Sequence, residues 1–294
     1  MSRRTVVSRD GTRLSSWSND GAGVPVVLSN GLGAPVEAWP EVIDQVDTYR
    51  VVSWDHRGLG GSERPGDEAR ITVADHSDDM TAVMDAFGID VAIIIGWSLG
   101  VNVAFDFAQR HPQRAAGVLA VGGVPGGSFS ALFHPLPRAL RPGAGRISAH
   151  LLRYVGPVLS KVIDGVPGSP DGTFARHGLS AIGLNARHMA TAVHVLRVFA
   201  KHDWAWYSRL VKASGEHELI DLRFVKFPVT FIAGTWDSIS SADDVQAASR
   251  HVSGSRYLEL DGTHYVPLQF PSVMSSELSL LVDRSILGRG LSLE

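Results

Sequence analysis

The stretch from Val91 to Gln109 constrains this chain more than any other. Val91 to Ile95 is an apolar, largely β-branched run of buried-strand type, and Val101 to Gln109 reads as a helix that buries Val103, Phe105, Phe107 and Ala108. Between them lies Gly96-Trp97-Ser98-Leu99-Gly100. A serine at such a sharp strand-to-helix turn is held in a strained backbone conformation, and glycine on both sides lets helix and strands close around it. The turn aims the Ser98 hydroxyl out of the sheet. The free N–H groups that open the helix face the same spot, where negative charge on an attacked carbonyl would gather. The pattern is the G-x-S-x-G of a nucleophile elbow. An ordinary turn serine is the plain alternative, and the strand before and helix after argue against it.

The same alternation runs through both ends of the chain. Thr5 to Ser8 and Thr12 to Ser18 flank Asp10-Gly11 and read as a hairpin. Val24 to Ser29 is an apolar strand ending in the loop Asn30-Gly31-Leu32-Gly33-Ala34-Pro35, followed by a predicted helix from Val36 to Val46. Next come strand Tyr49 to Trp54, the loop 55–65, a helix from about Thr72 to Phe87 stopped by Gly88, and strand Ala115 to Val121 after the elbow helix. Strand Val229 to Ala233, helix Ala242 to Val252, strand Arg256 to Leu260 and a helix from about Ser272 to Leu287 close the chain. Such alternation predicts an α/β fold, a mostly parallel central sheet flanked by helices.

From Pro125 to Asp221 no strand is predicted. This Pro- and Gly-punctuated segment is strongest as helix over Ile147 to Ile163 and Asn185 to Lys212, so residues 125–221 are expected to form an inserted, mobile helical cap on a core of residues 1–124 and 222–294. The chain of 294 residues is long enough for this. Its net charge of −3 gives no reason to expect nucleic acid, and the absence of cysteine excludes disulfides, thiolate metal sites and thiol nucleophiles together. With neither an apolar signal segment nor a membrane-length run, the expectation is a cytoplasmic protein without a membrane anchor.

A serine becomes a nucleophile at neutral pH only beside a base that is itself oriented. Asp237 follows the strand Val229 to Ala233 in Gly234-Thr235-Trp236-Asp237, and His264 follows Arg256 to Leu260 in Asp261-Gly262-Thr263-His264. Strand ends of a parallel sheet share one edge, so Ser98, Asp237 and His264 are expected to converge there, in the chain order Ser, Asp, His. Asp243, Asp244 and Asp261 are rivals to Asp237: the first two fall on the following helix, and the third lies too near His264 in sequence. For the oxyanion, the expected donors are the backbone N–H groups of Leu99 and, from the glycine-flanked loop, Leu32.

These residues carry a resemblance. Asn30-Gly-Leu-Gly33, Asp55-His-Arg-Gly-Leu-Gly-Gly-Ser62, Gly96-Trp-Ser-Leu-Gly100, Gly234-Thr-Trp-Asp237 and Asp261-Gly-Thr-His264 together resemble the α/β-hydrolase-fold serine hydrolases, over nearly the whole chain. The elbow is also similar to that of carboxylesterases that cleave methyl esters on acyl carrier proteins. Two positions depart from the family pattern: Asn30, where many relatives have His, puts a local hydrogen bond in doubt, and Val101, where many have Gly, suggests slightly wider helix packing. The resemblance implies that the 55–62 loop is structural.

The implied function is cleavage of a carboxylic ester through an acyl-enzyme on Ser98, with no metal or organic cofactor. A cofactor-free haloperoxidase or perhydrolase, a lactonase and a carbon–carbon bond hydrolase would use the same three residues, and a non-catalytic binding protein on the same fold stands as the alternative of another class. Gly31-x-Gly33 mimics the start of a dinucleotide fingerprint, but Val36 replaces its third glycine. Trp97, Trp204 and Trp206 are candidate substrate contacts. With Phe199 and Tyr207, the two cap tryptophans form either a substrate wall or a means of holding cap to sheet. His134, His150, His177, His188, His194, His202 and His217 form no metal-ligand motif and are expected to be solvated or core histidines. Residues 125–220 carry 11 Lys and Arg against 5 acids, leaving −9 for the remainder. Such a basic cap either steers an anionic or carrier-linked small-molecule substrate or consists of solvated helix faces.

Overall fold

Alternate residues of the strand before Ser98 go to opposite faces of the sheet: Ile93, Ile95 and Trp97 to one hydrophobic core, Ala92 and Ile94 to the other. A strand that is apolar on both sides must be covered on both sides. The computed structural model describes residues 1–133, 136–164 and 189–289. Its strands are β1 (Ser2–Val7), β2 (Arg13–Ser18), β3 (Val24–Ser29), β4 (Tyr49–Trp54), β5 (Ala92–Trp97), β6 (Ala115–Val121), β7 (Val229–Gly234) and β8 (Arg256–Leu260). They form one eight-stranded sheet in the order β1-β2-β4-β3-β5-β6-β7-β8. The pairs β1–β2 and β2–β4 are antiparallel and all others parallel, as the alternation predicts.

Helices α1 (Pro40–Ile43) and α10 (Pro271–Arg289) supply one core with Val42, Ile43, Met274, Leu278 and Leu281. Helices α2 (Val73–Ala86), α3 (Leu99–Arg110) and α8 (Ala242–Ser249) supply the other with Met80, Val83, Phe105, Phe107 and Val245. Thr72 and Asp75 start α2 with a reciprocal capping box. The predicted helix from Val36 to Val46 is instead a 3-10 turn, Val36–Ala38, and the single turn of α1. The break lies at Trp39-Pro40: proline disfavours helical backbone in the residue before it, and Trp39 sits at φ −124°.

Between β6 and β7 the described residues form α4 (Ser128–Ala131), α5 (Arg141–Asp164), α6 (Met189–Ala200) and α7 (Trp204–Gly215), with no strand among them. The run predicted from Asn185 to Lys212 is broken at residues 201–203, where the Asp203 carboxylate accepts from the Ala205 and Trp206 amides and starts α7 anew. Its first residues, 185–188, lie outside the described residues. Helix α9 (Val266–Gln269) follows His264. Among the described residues no helix is long and apolar enough to cross a membrane.

Candidate active site

Ser98 is the one residue between β5 and α3, and its backbone sits at φ 56°, ψ −118°. A non-glycine residue rarely takes such a conformation, which costs about 1–3 kcal/mol unless its surroundings impose it. Here they do. The Ser98 N–H donates to the Val121 carbonyl of β6 at 2.9 Å, and a Cβ at Gly100 would lie 1.8 Å from the Ser29 carbonyl oxygen of β3. Only glycine lets α3 come so near the sheet. Val101 packs against Gly123, where a Cβ would meet Val101 Cγ2 at 2.7 Å.

The three residues expected at this edge meet there. His264 Nε2 lies 2.9 Å from Ser98 Oγ and His264 Nδ1 lies 2.8 Å from Asp237 Oδ2. A carboxylate only accepts, so Nδ1 carries the proton, and the neutral imidazole then offers Nε2 to the Ser98 hydroxyl. The other Asp237 oxygen accepts from the Ile239 and Ser240 amides, each at 2.8 Å. The Trp97 indole donates to the His264 carbonyl at 3.0 Å and fixes that residue's backbone. Two of the rival acids are committed elsewhere: Asp244 pairs with Arg138 and Arg141 at 2.9 and 3.0 Å, and Asp261 accepts from the Trp236 indole at 2.6 Å.

Among the described residues the Leu32 and Leu99 amides have no hydrogen-bond acceptor within the protein, and both residues line a cavity of about 530 Å³ that Ser98 and His264 share. The local hydrogen bond left in doubt at Asn30 exists in another form. Asn30 Nδ2 donates to the Ala34 and Pro35 carbonyls, while its Oδ1 accepts from the Gly31 amide and the Trp39 indole.

Trp97 and Trp204 line the cavity, but Trp206 does not. Its indole donates to the Arg57 carbonyl at 3.0 Å, between the Arg64 and Arg209 guanidinium groups, so it ties the insertion to the 55–62 loop. Trp204 reaches the wall because Gly156 leaves room for its ring on α5, where its indole also donates to Ser160 Oγ at 2.8 Å. Phe199 and Tyr207 line the cavity as well. The 55–62 loop carries structural work, with the Arg57 guanidinium buried against Asp79 and Asp10 at 2.5 and 2.8 Å.

Asp, Glu, Lys and Arg are absent from the cavity wall among the described residues, so the basic excess of the insertion is not gathered at the site. Part of it holds the insertion to the core, through Arg138 and Arg141 on Asp244 and Arg209 on Glu68. Of the histidines noted in this segment, His134, His177 and His188 lie outside the described residues. His202 is half-buried, and its Nε2–H donates to the Gly33 carbonyl at 2.8 Å. Among the described residues no group of three or more histidines and acids is placed to hold a metal ion.

Comparison with known proteins bears on the fold. A family model described as the alpha/beta hydrolase fold matches residues 24–162, which include Ser98, Leu32 and Leu99. RutD of Caulobacter vibrioides, provisionally named a carbamate hydrolase, is 38% identical over 125 residues, 42% of this chain and 46% of that relative. The matched stretch thus spans less than half of RutD. Two solved structures superpose along nearly the whole chain, both with a TM-score of 0.73. The enol-lactonase of Burkholderia xenovorans covers 95% of this chain and 100% of its own at 22% identity, and a thermophilic esterase of Thermogutta terrifontis covers 97% and 99% at 20% identity. With its serine turn inside the stretch that the family model matches and its fold shared along nearly its whole length, the chain has the α/β-hydrolase fold.

Proposed function

We propose that the protein hydrolyses a neutral, largely apolar carboxylic ester through an acyl-enzyme on Ser98. In this reading Ser98 Oγ attacks the ester carbonyl carbon and its proton passes to His264 Nε2. Asp237 holds the imidazole in the required tautomer and stabilises the imidazolium. The Leu32 and Leu99 amides donate to the tetrahedral oxyanion. His264 then protonates the departing alcohol, and a water activated by the same nitrogen returns the acid product and free Ser98.

The observation that carries the substrate class is the cavity. At about 530 Å³ it lies within the usual range for small-molecule sites, and its wall has aromatic and aliphatic side chains but, among the described residues, no acid, lysine or arginine. A charged acyl group would lose its hydration there without gaining a counter-charge. An anionic or carrier-linked substrate must therefore keep its charge outside the cavity.

The test compares kcat/KM for neutral p-nitrophenyl esters of rising acyl length with that for a hemisuccinate ester of matched size. The neutral esters should lead by about tenfold or more. Trp204→Ala should reorder the neutral series, whereas Trp206→Ala should keep the order and lower stability by about 3–5 kcal/mol. Preference for the hemisuccinate would overturn the neutral-substrate reading, and no turnover of any ester would overturn ester hydrolysis itself.

A further inference from the structure

The loop that carries Leu32 is held from two directions, and only one of them is the core. From the core, Asn30 takes the Ala34 and Pro35 carbonyls. From the insertion, the Tyr207 hydroxyl donates to the Leu32 carbonyl at 3.2 Å and His202 Nε2–H donates to the Gly33 carbonyl at 2.8 Å. The two rings stack on each other, with centroids 5.7 Å apart and planes 11° from parallel. Gly33 is at φ +70°, and a Cβ there would lie 2.3 Å from His202 Nε2, so glycine is needed both for the turn and for the approach of the imidazole.

Planar peptides turn these contacts into control of an amide. In a trans peptide the C=O of one residue and the N–H of the next point in opposite directions, so fixing one fixes the other. His202 fixes the Gly33 carbonyl and hence the Ala34 N–H, which donates to the Gly31 carbonyl at 2.9 Å. That bond fixes the plane shared by the Gly31 carbonyl and the Leu32 N–H. Tyr207 sets the plane between them by holding the Leu32 carbonyl. The clamp is itself anchored, since Asp203, which caps the helix of Tyr207, bonds Arg64 at 2.6 Å.

We infer that His202 and Tyr207 are positioning residues that aim the Leu32 amide at the oxyanion, so that the insertion acts on the rate of the chemical step as well as on substrate choice. The inference rests on the hydrolase reading above for the meaning of that amide, but the clamp can be read without turnover.

The experiment pairs His202→Ala with His202→Gln, whose side-chain amide offers an N–H at similar reach, and with Tyr207→Phe, which removes only the hydroxyl. Against the best neutral ester, His202→Ala should lower kcat on the order of 10-fold to 100-fold with KM nearly unchanged, and His202→Gln should recover most of it. Tyr207→Phe should lower kcat less. In parallel, hydrogen exchange by NMR should show the Ala34 amide losing protection in His202→Ala and keeping it in His202→Gln, with global stability matched. A change in KM alone, failure of the glutamine to rescue, or unaltered Ala34 protection would overturn the clamp. If the wild-type protein cleaves no ester, the functional reading falls while Ala34 exchange still decides the clamp.

Discussion

Among the described residues His264 on one side and His56 and His76 on the other are buried, and their surroundings differ in kind. His264 has both ring nitrogens addressed, one by Asp237 and one by Ser98. His56 and His76 lie with ring centroids 5.3 Å apart, and among the described residues neither nitrogen of His76 nor the Nε2 of His56 has a hydrogen-bond partner. Asp79, the acid nearest His76, is 3.7 Å from its Nδ1 and is occupied by Arg57. Burial alone therefore does not make an imidazole a base. Burial without partners keeps His56 and His76 neutral, with desolvation pushing His56 down to about 4 and His76 well below its ordinary range, and neighbouring positive charge adding to the effect on His76. A buried imidazole acts when a carboxylate orients it and a hydroxyl awaits its free lone pair.

The largest effect expected from this difference comes from making His264 resemble the other two. Asp237→Asn keeps the size of the side chain but lets it donate to Nδ1, which turns the proton to Nε2 and leaves no acceptor for Ser98. Turnover should fall on the order of 10⁴-fold. Asp244→Asn, at a carboxylate that pairs with Arg138 and Arg141 and accepts from the Ser241 hydroxyl, should leave kcat within a few-fold and lower the melting temperature instead. Steady-state kinetics on both variants settles which acid serves His264, and a severe loss in the second would reassign that role.

A smaller effect belongs to the unpartnered pair. As pH falls through about 6.5 the unfolded chain takes up protons on these histidines, whereas in the folded chain burial holds His56 unprotonated until about 4 and keeps His76 well below its ordinary value. The unfolded state thus binds more protons across that window, so stability falls as pH falls, by at most about 1.4 kcal/mol per pH unit for each. His111, His202 and His217, less deeply buried, shift in the same direction. Urea midpoints at pH 7 and pH 5 should show the loss, and His76→Met should flatten it. An unchanged slope in that variant would place the acid sensitivity elsewhere.

Strand positions, the elbow and the order Ser98, Asp237, His264 were legible in the sequence because each is written locally. An apolar run, a glycine pair and a loop after a strand need no distant partner to be recognised, and a parallel sheet then brings the strand ends together. What was not legible depends on contacts between distant segments. Trp206 reads as a cavity residue in the aromatic run 204–207, yet helical geometry turns it from Trp204 toward Arg57, 149 residues away in sequence. His202 shows nothing of its bond to Gly33, because a lone imidazole in a polar segment looks the same whether solvated or docked. The unequal charge of the insertion was visible, but that several of its arginines face core acids was not. Pro40 is a local signal of the break in the first predicted helix.

The central claim, that His264 makes Ser98 a nucleophile, is tested most directly by treating the protein with a fluorophosphonate and mapping the product by peptide mass spectrometry. The wild-type protein should carry one phosphonyl group, on the peptide containing Ser98. In His264→Ala the labelling rate should fall on the order of 10³-fold or more while the fold is kept. An unlabelled Ser98 in the folded wild-type protein, or labelling at an undiminished rate in His264→Ala, would contradict it.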